Sequence, residues 1–269
     1  MTTWVLLRGL MRDSRHWYGF DQYVSQQKLN IITVDLPGNG VLVDQISPML
    51  MKQYCAAVWR QIDAALLKGS APASQGKVVL VGLSMGGMLA LTMAKSCPAR
   101  VQHVVVINCS AGNLSPWYHR FQCFSLLAVL TQTLLTTMLS LIPHYRKMEK
   151  SHGHWLETVV LSWTSRHYDC DVVNAWSQLR LQCHTSLINS LRQLYACARF
   201  CCPSLADVPV SVIVANQDRL VNPKCSEQLA VFYQTHIHKI DDCGHDASLD
   251  QPQLLLQLLL QLLPEIVEA

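Results

Sequence analysis

The sequence predicts an α/β fold with helices on both faces of a mostly parallel sheet of about six strands. Two observations support this fold class. Short apolar runs, typical of strands buried on both faces, alternate with segments of helical spacing. One such run, residues 77–83, leads through Gly82-Leu83-Ser84-Met85-Gly86 into a helix-favouring segment. Strand, tight turn and helix in this order form the repeating unit of a parallel sheet.

The predicted elements alternate along the first part of the chain. Trp17, Phe20 and Val24 lie on one face of the first predicted helix, and Ser47-Pro48 begins the next. The helix over residues 86–96 is stopped by Pro98. The predicted strands are residues 3–7, 31–34, 77–83, 101–108, 210–215 and 236–240. No strand precedes the first of these, so we expect the sheet to lack a leading hairpin.

The alternation stops between residues 113 and 204, where the sequence predicts helices rich in Trp, His, Leu and Thr. We therefore expect an α/β core formed by residues 1–112 and 205–269, with residues 113–204 as an inserted helical cap. A leucine-rich helix from about Ser248 closes the chain, and its Leu254 to Leu263 run is expected to cover the sheet.

One stretch of the predicted cap has the length of a membrane span. Residues Phe121 to Ile142 carry no charge, and Pro143 ends the stretch. Several Ser, Thr and Gln residues within it favour a buried or substrate-facing cap helix over a transmembrane or interfacial one. Membrane contact is therefore not expected.

Composition indicates which binding partners and which cellular compartment to expect. Of 269 residues, 50% are hydrophobic and 14% are charged, with a formal net charge of +3, and no basic run contains interleaved aromatic residues. These features argue against nucleic-acid binding. The eleven cysteines lack metal-ligand spacing and no signal sequence precedes the first strand, which predicts free thiols in the cytoplasm. Cys201-Cys202 lacks the second pair that a redox or metal site would need.

The Gly-x-Ser-x-Gly motif is typical of a nucleophile elbow, with Ser84 at the tip of a sharp turn. Gly82 and Gly86 leave room for the turn, and Gly87 lets the following helix approach the sheet. A serine hydroxyl is a weak nucleophile, so it needs a general base that is itself oriented by a carboxylate.

Candidates for the general base and for its carboxylate partner come directly after two of the later predicted strands. Asp218 follows the strand at 210–215, and His245 follows the strand at 236–240. Parallel strands bring such loops to one edge of the sheet. The order Ser84, Asp218, His245 therefore predicts a catalytic triad. Asp241, Asp242 and Asp246 are rival acids, but they lie too close to His245 in sequence to fit this geometry as well.

These residues resemble the α/β-hydrolase family, in particular small capped carboxylesterases such as the pimeloyl-carrier-protein methyl ester esterases. The resemblance covers nearly the whole chain outside residues 113–204. The matching segments are Arg8-Gly9-Leu10 with Trp17, residues 35–40, residues 82–87, Asp218 and Gly244-His245.

The resemblance implies a mechanism and further site residues. The backbone N–H groups of Leu10 and Met85 would form the oxyanion hole. His245, oriented by Asp218, would move the proton of Ser84, and an acyl-enzyme would form and be hydrolysed. Neither a metal nor another cofactor is implied.

Two departures from the family pattern lie near the predicted site. Arg8 stands where the family has histidine, and it either shapes the loop by bonding backbone carbonyls or Asp35, or binds an anionic group of the substrate. Asn39-Gly40-Val41 also differs from the family pattern and is expected to widen the entrance.

Other chemically suggestive residues have simpler interpretations. His152 and His154 have no third ligand at useful spacing and are expected to be surface or cap histidines. Asp35 is expected to anchor its turn. Three tryptophans could line an acyl pocket, but helical packing explains them as well: Trp155, Trp163 and Trp176.

The sequence thus predicts a cytoplasmic serine hydrolase that cleaves carboxylic esters of small or medium acyl chains. The expected partner is a small-molecule ester, with an acyl carrier protein as a second candidate. The alternatives are a carbon–carbon bond or thioester hydrolase of the same fold, and a non-catalytic binder of small ligands on this scaffold.

Overall fold

The computed structural model describes residues 2–17, 19–27, 29–68, 77–122 and 155–262. Within them, six strands form one sheet in the order β2-β1-β3-β4-β5-β6, and every pairing is parallel. This confirms the predicted mostly parallel sheet of six strands. The strands are β1 (Thr3–Leu7), β2 (Asn30–Val34), β3 (Val78–Leu83), β4 (Val101–Ile107), β5 (Val210–Ala215) and β6 (Ile237–Ile240).

Helices occupy most of the described connections. Three short 3-10 helices, Ser14–Trp17, Gly40–Leu42 and Pro98–Arg100, supplement the α-helices. The α-helices are α1 (Phe20–Gln26), α2 (Met51–Lys68), α3 (Met85–Ser96), α4 (Trp117–Arg120), α5 (Trp155–Thr164), α6 (Cys170–Gln182), α7 (Leu187–Arg199), α8 (Lys224–Tyr233), α9 (Ala247–Asp250) and α10 (Pro252–Gln261).

The two faces of the sheet are covered by different helices. Successive side chains of a strand point to opposite faces, so Val5 and Leu7 of β1 join one apolar cluster while Trp4 and Leu6 join the other. The first cluster contains side chains of α2, α3 and α8, and the second contains those of α1 and α10. The leucine-rich terminal helix thus covers the sheet, as predicted, in its described part.

The segment between β4 and β5 is helical where it is described. Its last helix, α7, also packs against the core, because its Ala196 and Cys197, and Phe200 directly after it, belong to the same apolar cluster as α2 and α3. Most of the uncharged stretch 121–142 lies outside the described residues, as do His152 and His154. Among the described helices, none has the length and apolar character needed to cross a membrane.

Two glycines allow β3, α3 and β1 to meet closely at the turn that follows β3. A Cβ at Gly82 would overlap the backbone of Gly86, and one at Gly86 would overlap the carbonyl of Leu7 at the end of β1. These neighbours are backbone atoms that cannot rotate away. The two glycines therefore determine how closely α3 approaches the sheet.

We predict that Gly86→Ala lowers the free energy of unfolding by about 3 kcal/mol or more, because the added methyl group forces β1 and α3 apart. Gly19→Ala is the comparison, since a Cβ at Gly19 meets nothing within 4 Å. Only the left-handed backbone, with φ of 76°, opposes that change, at about 1–2 kcal/mol. Urea unfolding of both variants checks the prediction, and equal losses would contradict it.

Candidate active site

Ser84 lies at the tip of the turn between β3 and α3. Its backbone has φ of 57° and ψ of −117°, an uncommon conformation for a residue with a side chain. The Ser84 N–H donates to the carbonyl of Ile107 at 2.8 Å, and its own carbonyl accepts from the Gly87 N–H at 3.0 Å. These bonds hold the strained residue between sheet and helix, and its side chain remains partly exposed.

Asp218 and His245 meet at the carboxyl ends of β5 and β6. His245 Nδ1 lies 2.7 Å from Asp218 Oδ2, and both residues are buried. Asp218 Oδ1 accepts the backbone N–H groups of Leu220 and Val221 at 2.8 and 3.0 Å. Because the carboxylate is held in this way, the tautomer that satisfies it carries a proton on Nδ1 and leaves Nε2 free to act as a base.

The charge on Asp218 also controls the proton affinity of His245. Burial disfavours the charged imidazole, but the attraction and hydrogen bond of Asp218, aided by Asp246 and opposed by Arg8, outweigh burial and raise the pKa of His245 above its ordinary value of 6.5. A base of this kind suits general acid–base chemistry near neutral pH.

The His245 loop is held by hydrogen bonds on both sides. Asn108, which follows β4, donates from Nδ2 to the carbonyl of His245 at 2.8 Å and accepts the Ala215 N–H at 2.8 Å. The Gly244 N–H donates to Asp250 Oδ2 at 2.7 Å, and the Asp246 N–H donates to the Thr164 carbonyl at 2.8 Å. The loop is therefore fixed to β4, β5, α5 and α9.

Asp250 was not singled out by sequence analysis, although it organises this loop. Besides Gly244, its carboxylate accepts the Ser165 hydroxyl and the backbone N–H groups of Arg166 and His167. It thus joins the His245 loop to the segment after α5. No local motif marks such a residue, because three of its four donors, all except Gly244, lie more than eighty positions away.

The three rival acids have other partners. Asp241 bonds the side chain of Asn216, and Asp242 pairs with His167, both at exposed positions. Asp246 pairs with Arg8. Among the described carboxylates, Asp218 is the one hydrogen-bonded to the His245 ring.

Ser84 and His245 are brought to the same edge of the sheet but are not hydrogen-bonded. Within the described residues, the Ser84 hydroxyl forms no bond to the imidazole. Unliganded sites often show long or misaligned contacts between a nucleophile and its base.

The loop after β1 passes directly beside Ser84. A Cβ added at Gly9 would lie 3.3 Å from Ser84 Cβ. In the described part of the chain, the backbone N–H groups of Leu10 and Met85 have no protein acceptor, whereas the Met11 N–H donates to Gln193 Oε1 at 2.9 Å. Met11 itself has a left-handed φ of 57°. Both N–H groups thus remain available near Ser84.

Gln193 is a second residue that sequence analysis did not find. It is fully buried in α7, and its amide nitrogen donates to Asn39 Oδ1 at 2.8 Å and to Ser47 Oγ at 3.1 Å. Together with the bond from Met11, these contacts join the loops after β1 and β2 to one helix. A lone glutamine in a helical pattern gives no sequence signal for such a role.

Arg8 has neither of the structural partners expected for it. Its terminal nitrogens bond Asp246 and Ser248, while Asp35 accepts the N–H groups of Ser14 and Val41 at 2.7 and 2.8 Å. Asp35 therefore anchors turns, as expected, without contacting Arg8. The Arg8 guanidinium is buried and its charge is matched by Asp246, which favours a structural role over binding of an anionic substrate.

The remaining candidates that the structure describes include Trp176 and the Cys201-Cys202 pair. Trp176 is fully buried and packs against Arg12 and His16. Cys201 is exposed and Cys202 is buried, and all ten cysteines in the described ranges are free thiols. Over the same ranges, no cluster of three His, Cys, Asp or Glu side chains could hold a metal ion.

Comparison with known proteins agrees with the observed fold. The model of the alpha/beta hydrolase family matches residues 4–258. A pimeloyl-[acyl-carrier protein] methyl ester esterase from Legionella pneumophila (strain Corby) is 34% identical over 111 residues. That match covers 41% of this chain and 39% of the esterase, so the chain aligns with well under half of that relative's length.

Solved structures share the fold at low sequence identity. A 2-hydroxy-6-oxo-6-phenylhexa-2,4-dienoate hydrolase from Rhodococcus sp. strain RHA1 superposes with a TM-score of 0.68 at 17% identity, covering 100% of this chain and 91% of that one. A thermophilic esterase from Thermogutta terrifontis gives a TM-score of 0.64 at 18% identity, covering 99% and 90%. At these identities the likeness establishes the fold alone.

We predict that Asp218→Asn lowers the pKa of His245 below 6.5, because burial then acts without the carboxylate that outweighs it. An NMR titration of the His245 ring protons measures this change. Asp241→Asn is the matched control, since that exposed carboxylate does not contact the ring. An unchanged titration in Asp218→Asn would contradict the assignment of Asp218 as the partner of His245.

Proposed function

The chain belongs to the alpha/beta hydrolase family, and on that premise we propose that it is a serine carboxylesterase. It cleaves carboxylic esters of small or medium acyl chains through an acyl-enzyme. The catalytic residues are Ser84 as nucleophile, His245 as general base and acid, and Asp218 as the group that orients His245.

The observation that carries this proposal is the buried 2.7 Å contact between His245 and Asp218 at the edge of the sheet where Ser84 occupies its strained turn. A structural histidine would not need to leave Nε2 free at that edge. In the proposed complex, the Ser84 hydroxyl bonds Nε2 when substrate fills the site.

In the first half of the reaction, Ser84 Oγ attacks the ester carbonyl and passes its proton to His245 Nε2. The carbonyl oxygen becomes an oxyanion, which the N–H groups of Leu10 and Met85 stabilise. Losing one such donor typically costs about 2.7–4 kcal/mol. His245 then returns the proton to the leaving alcohol, and the acyl group stays on Ser84.

In the second half, water attacks the acyl-enzyme. His245 takes a proton from that water and returns it to Ser84 Oγ as the tetrahedral intermediate collapses, which releases the carboxylic acid and restores the Ser84 hydroxyl. Asp218 keeps the imidazole in one tautomer and stabilises its charged form in both halves. Every proton is returned, so the cycle consumes one water per ester.

The substrate assignment rests on partial likeness and on the sequence. The relative from Legionella pneumophila is a methyl ester esterase that acts on a carrier-protein-linked acyl group, which supports a small-molecule ester or an acyl carrier protein as partner. We propose residues 113–204 as a helical cap over the site. The ten free cysteines among the described residues support a reducing compartment such as the cytoplasm.

The direct test is hydrolysis of p-nitrophenyl esters from acetate to palmitate. We expect turnover with a short- or medium-chain optimum, and a loss of kcat of about 10⁶-fold in Ser84→Ala. Ser96→Ala is the matched control, since Ser96 is an exposed serine at the end of α3. Turnover that survives in Ser84→Ala would refute the serine mechanism.

Absence of ester turnover would instead favour one of the two alternative functions. Cleavage of a carbon–carbon substrate or a thioester would retain the same triad. Ligand-dependent thermal stabilisation without cleavage would indicate a binder.

The proposed base also predicts a pH dependence. Since His245 must be neutral to accept a proton and its pKa is raised, kcat/KM should increase with pH and reach half its plateau above pH 6.5. Steady-state rates on one ester across the acid and neutral range measure this limb. A flat profile would argue against His245 as the base.

A further inference from the structure

A buried ion pair joins two loops of the proposed active site. Arg8 Nη2 donates to Asp246 Oδ2 at 2.5 Å, and Nη1 donates to Oδ1 at 3.2 Å. The two side chains are 1% and 6% exposed. Two parallel bonds fix the relative orientation of guanidinium and carboxylate, which a single bond would not do.

Neighbouring side chains hold the pair in place. Ser248 accepts from Arg8 Nη1 at 2.8 Å and donates to Asp246 Oδ1 at 2.7 Å. The guanidinium carbon of Arg8 lies 4.9 Å from the ring centroid of Trp17, which is fully buried. Arg8 is thus enclosed by an aromatic ring, a hydroxyl and a carboxylate.

The pair lies next to both proposed catalytic loops in the chain. Arg8 lies two residues before Leu10, the proposed oxyanion donor, and Asp246 directly follows His245. The pair therefore connects the two loops whose separation sets the distance between the oxyanion site and the base. A displacement of about 1 Å in such a site can cost a hundredfold in rate.

Stability alone does not explain the pair. Replacing a buried ion pair with apolar side chains is often neutral or stabilising, because the charges must first be desolvated. Binding of an anionic substrate does not explain it either, since Asp246 already neutralises Arg8. Defined geometry between the loops is the property that only a two-point polar contact supplies here.

The pair also places two opposite charges near His245. The charged groups that act on the imidazole are Asp218 and Asp246, which favour its protonated form, and Arg8, which disfavours it. Arg12 acts on Asp246 from the same loop as Arg8, and Asn108 contacts the His245 carbonyl without a charge. If one member of the pair is removed, the charge of the other acts on His245 without compensation.

We infer that the Arg8–Asp246 ion pair is a positioning element, which holds the Leu10 loop and the His245 loop in register for the reaction. This inference rests on the proposed function. It assigns roles to two residues that do not themselves touch the substrate.

The test compares Arg8→Gln, Asp246→Asn and the double variant. We expect kcat to fall about 10- to 100-fold in each single variant, with little change in KM, because the donor and base are misplaced while the substrate contacts persist. The midpoint of the acid limb of the pH profile should shift in opposite directions in the two single variants. Asp246→Asn lowers its midpoint, Arg8→Gln raises it, and the double variant returns it close to wild type.

A conservative variant separates charge from geometry. Arg8→Lys keeps the positive charge but loses the two-point contact, so we expect a reduced kcat with an unshifted acid limb. Equal losses on neutral and anionic esters are expected for every variant. A selective loss on anionic esters would assign Arg8 to substrate binding and overturn the inference, as would unchanged kcat in both single variants.

Failure of the inference and failure of the proposed function can be told apart. NMR titration of His245 in the same variants requires no turnover: opposite shifts support the pair's action on the site, and identical titrations refute it. Wild-type protein without ester turnover would refute the esterase alone. If circular dichroism shows that Arg8→Gln is unfolded, Arg8→Lys and Ser248→Ala, compared with wild type, supply the kcat and KM test.

Discussion

The close backbone contact among β1, β3 and α3 is the constraint on which the rest of the structure depends. Gly82 and Gly86 have no side chains to keep these elements apart, so the turn at Ser84 closes against the Leu7 carbonyl. The same contact places the loop after β1 beside Ser84 and directs the start of α3 toward it. Steric exclusion at two positions therefore determines where a nucleophile and its neighbouring N–H groups can lie.

Buried polar side chains then fix the loops that the sheet leaves irregular. The backbone N–H groups of a loop cannot all bond within the loop, as those of a helix do. Side chains from elsewhere in the chain therefore accept hydrogen bonds from the loops at this edge. Asp35 serves the loops after β1 and β2, Gln193 joins them to α7, and Asp250 holds the His245 loop. Each of these loops is thus hydrogen-bonded to residues outside itself.

The sheet and the three proposed catalytic residues could be predicted because their signals are local. The strands before Ser84 and Asp218, β3 and β5, are buried and mostly apolar runs. His245 follows β6, a short and partly exposed strand, and its signal is its place after the last predicted strand. The partner of Arg8 could not be predicted, since Asp246 lies 238 positions away and no spacing relates them. The role of α7 in the core was also missed, because helical periodicity does not reveal which surface a helix meets.

The separation between Arg8 and Asp246 has a consequence for the synthesis of the protein. On a ribosome the chain emerges from its amino end, so β1 and the elbow can assemble long before residue 246 exists. Until then Arg8 is a charge without its partner, beside a loop whose final shape depends on it. The two loops can be joined only after residue 246 has been made, so this contact is of the long-range kind that costs loop-closure entropy before it stabilises the structure.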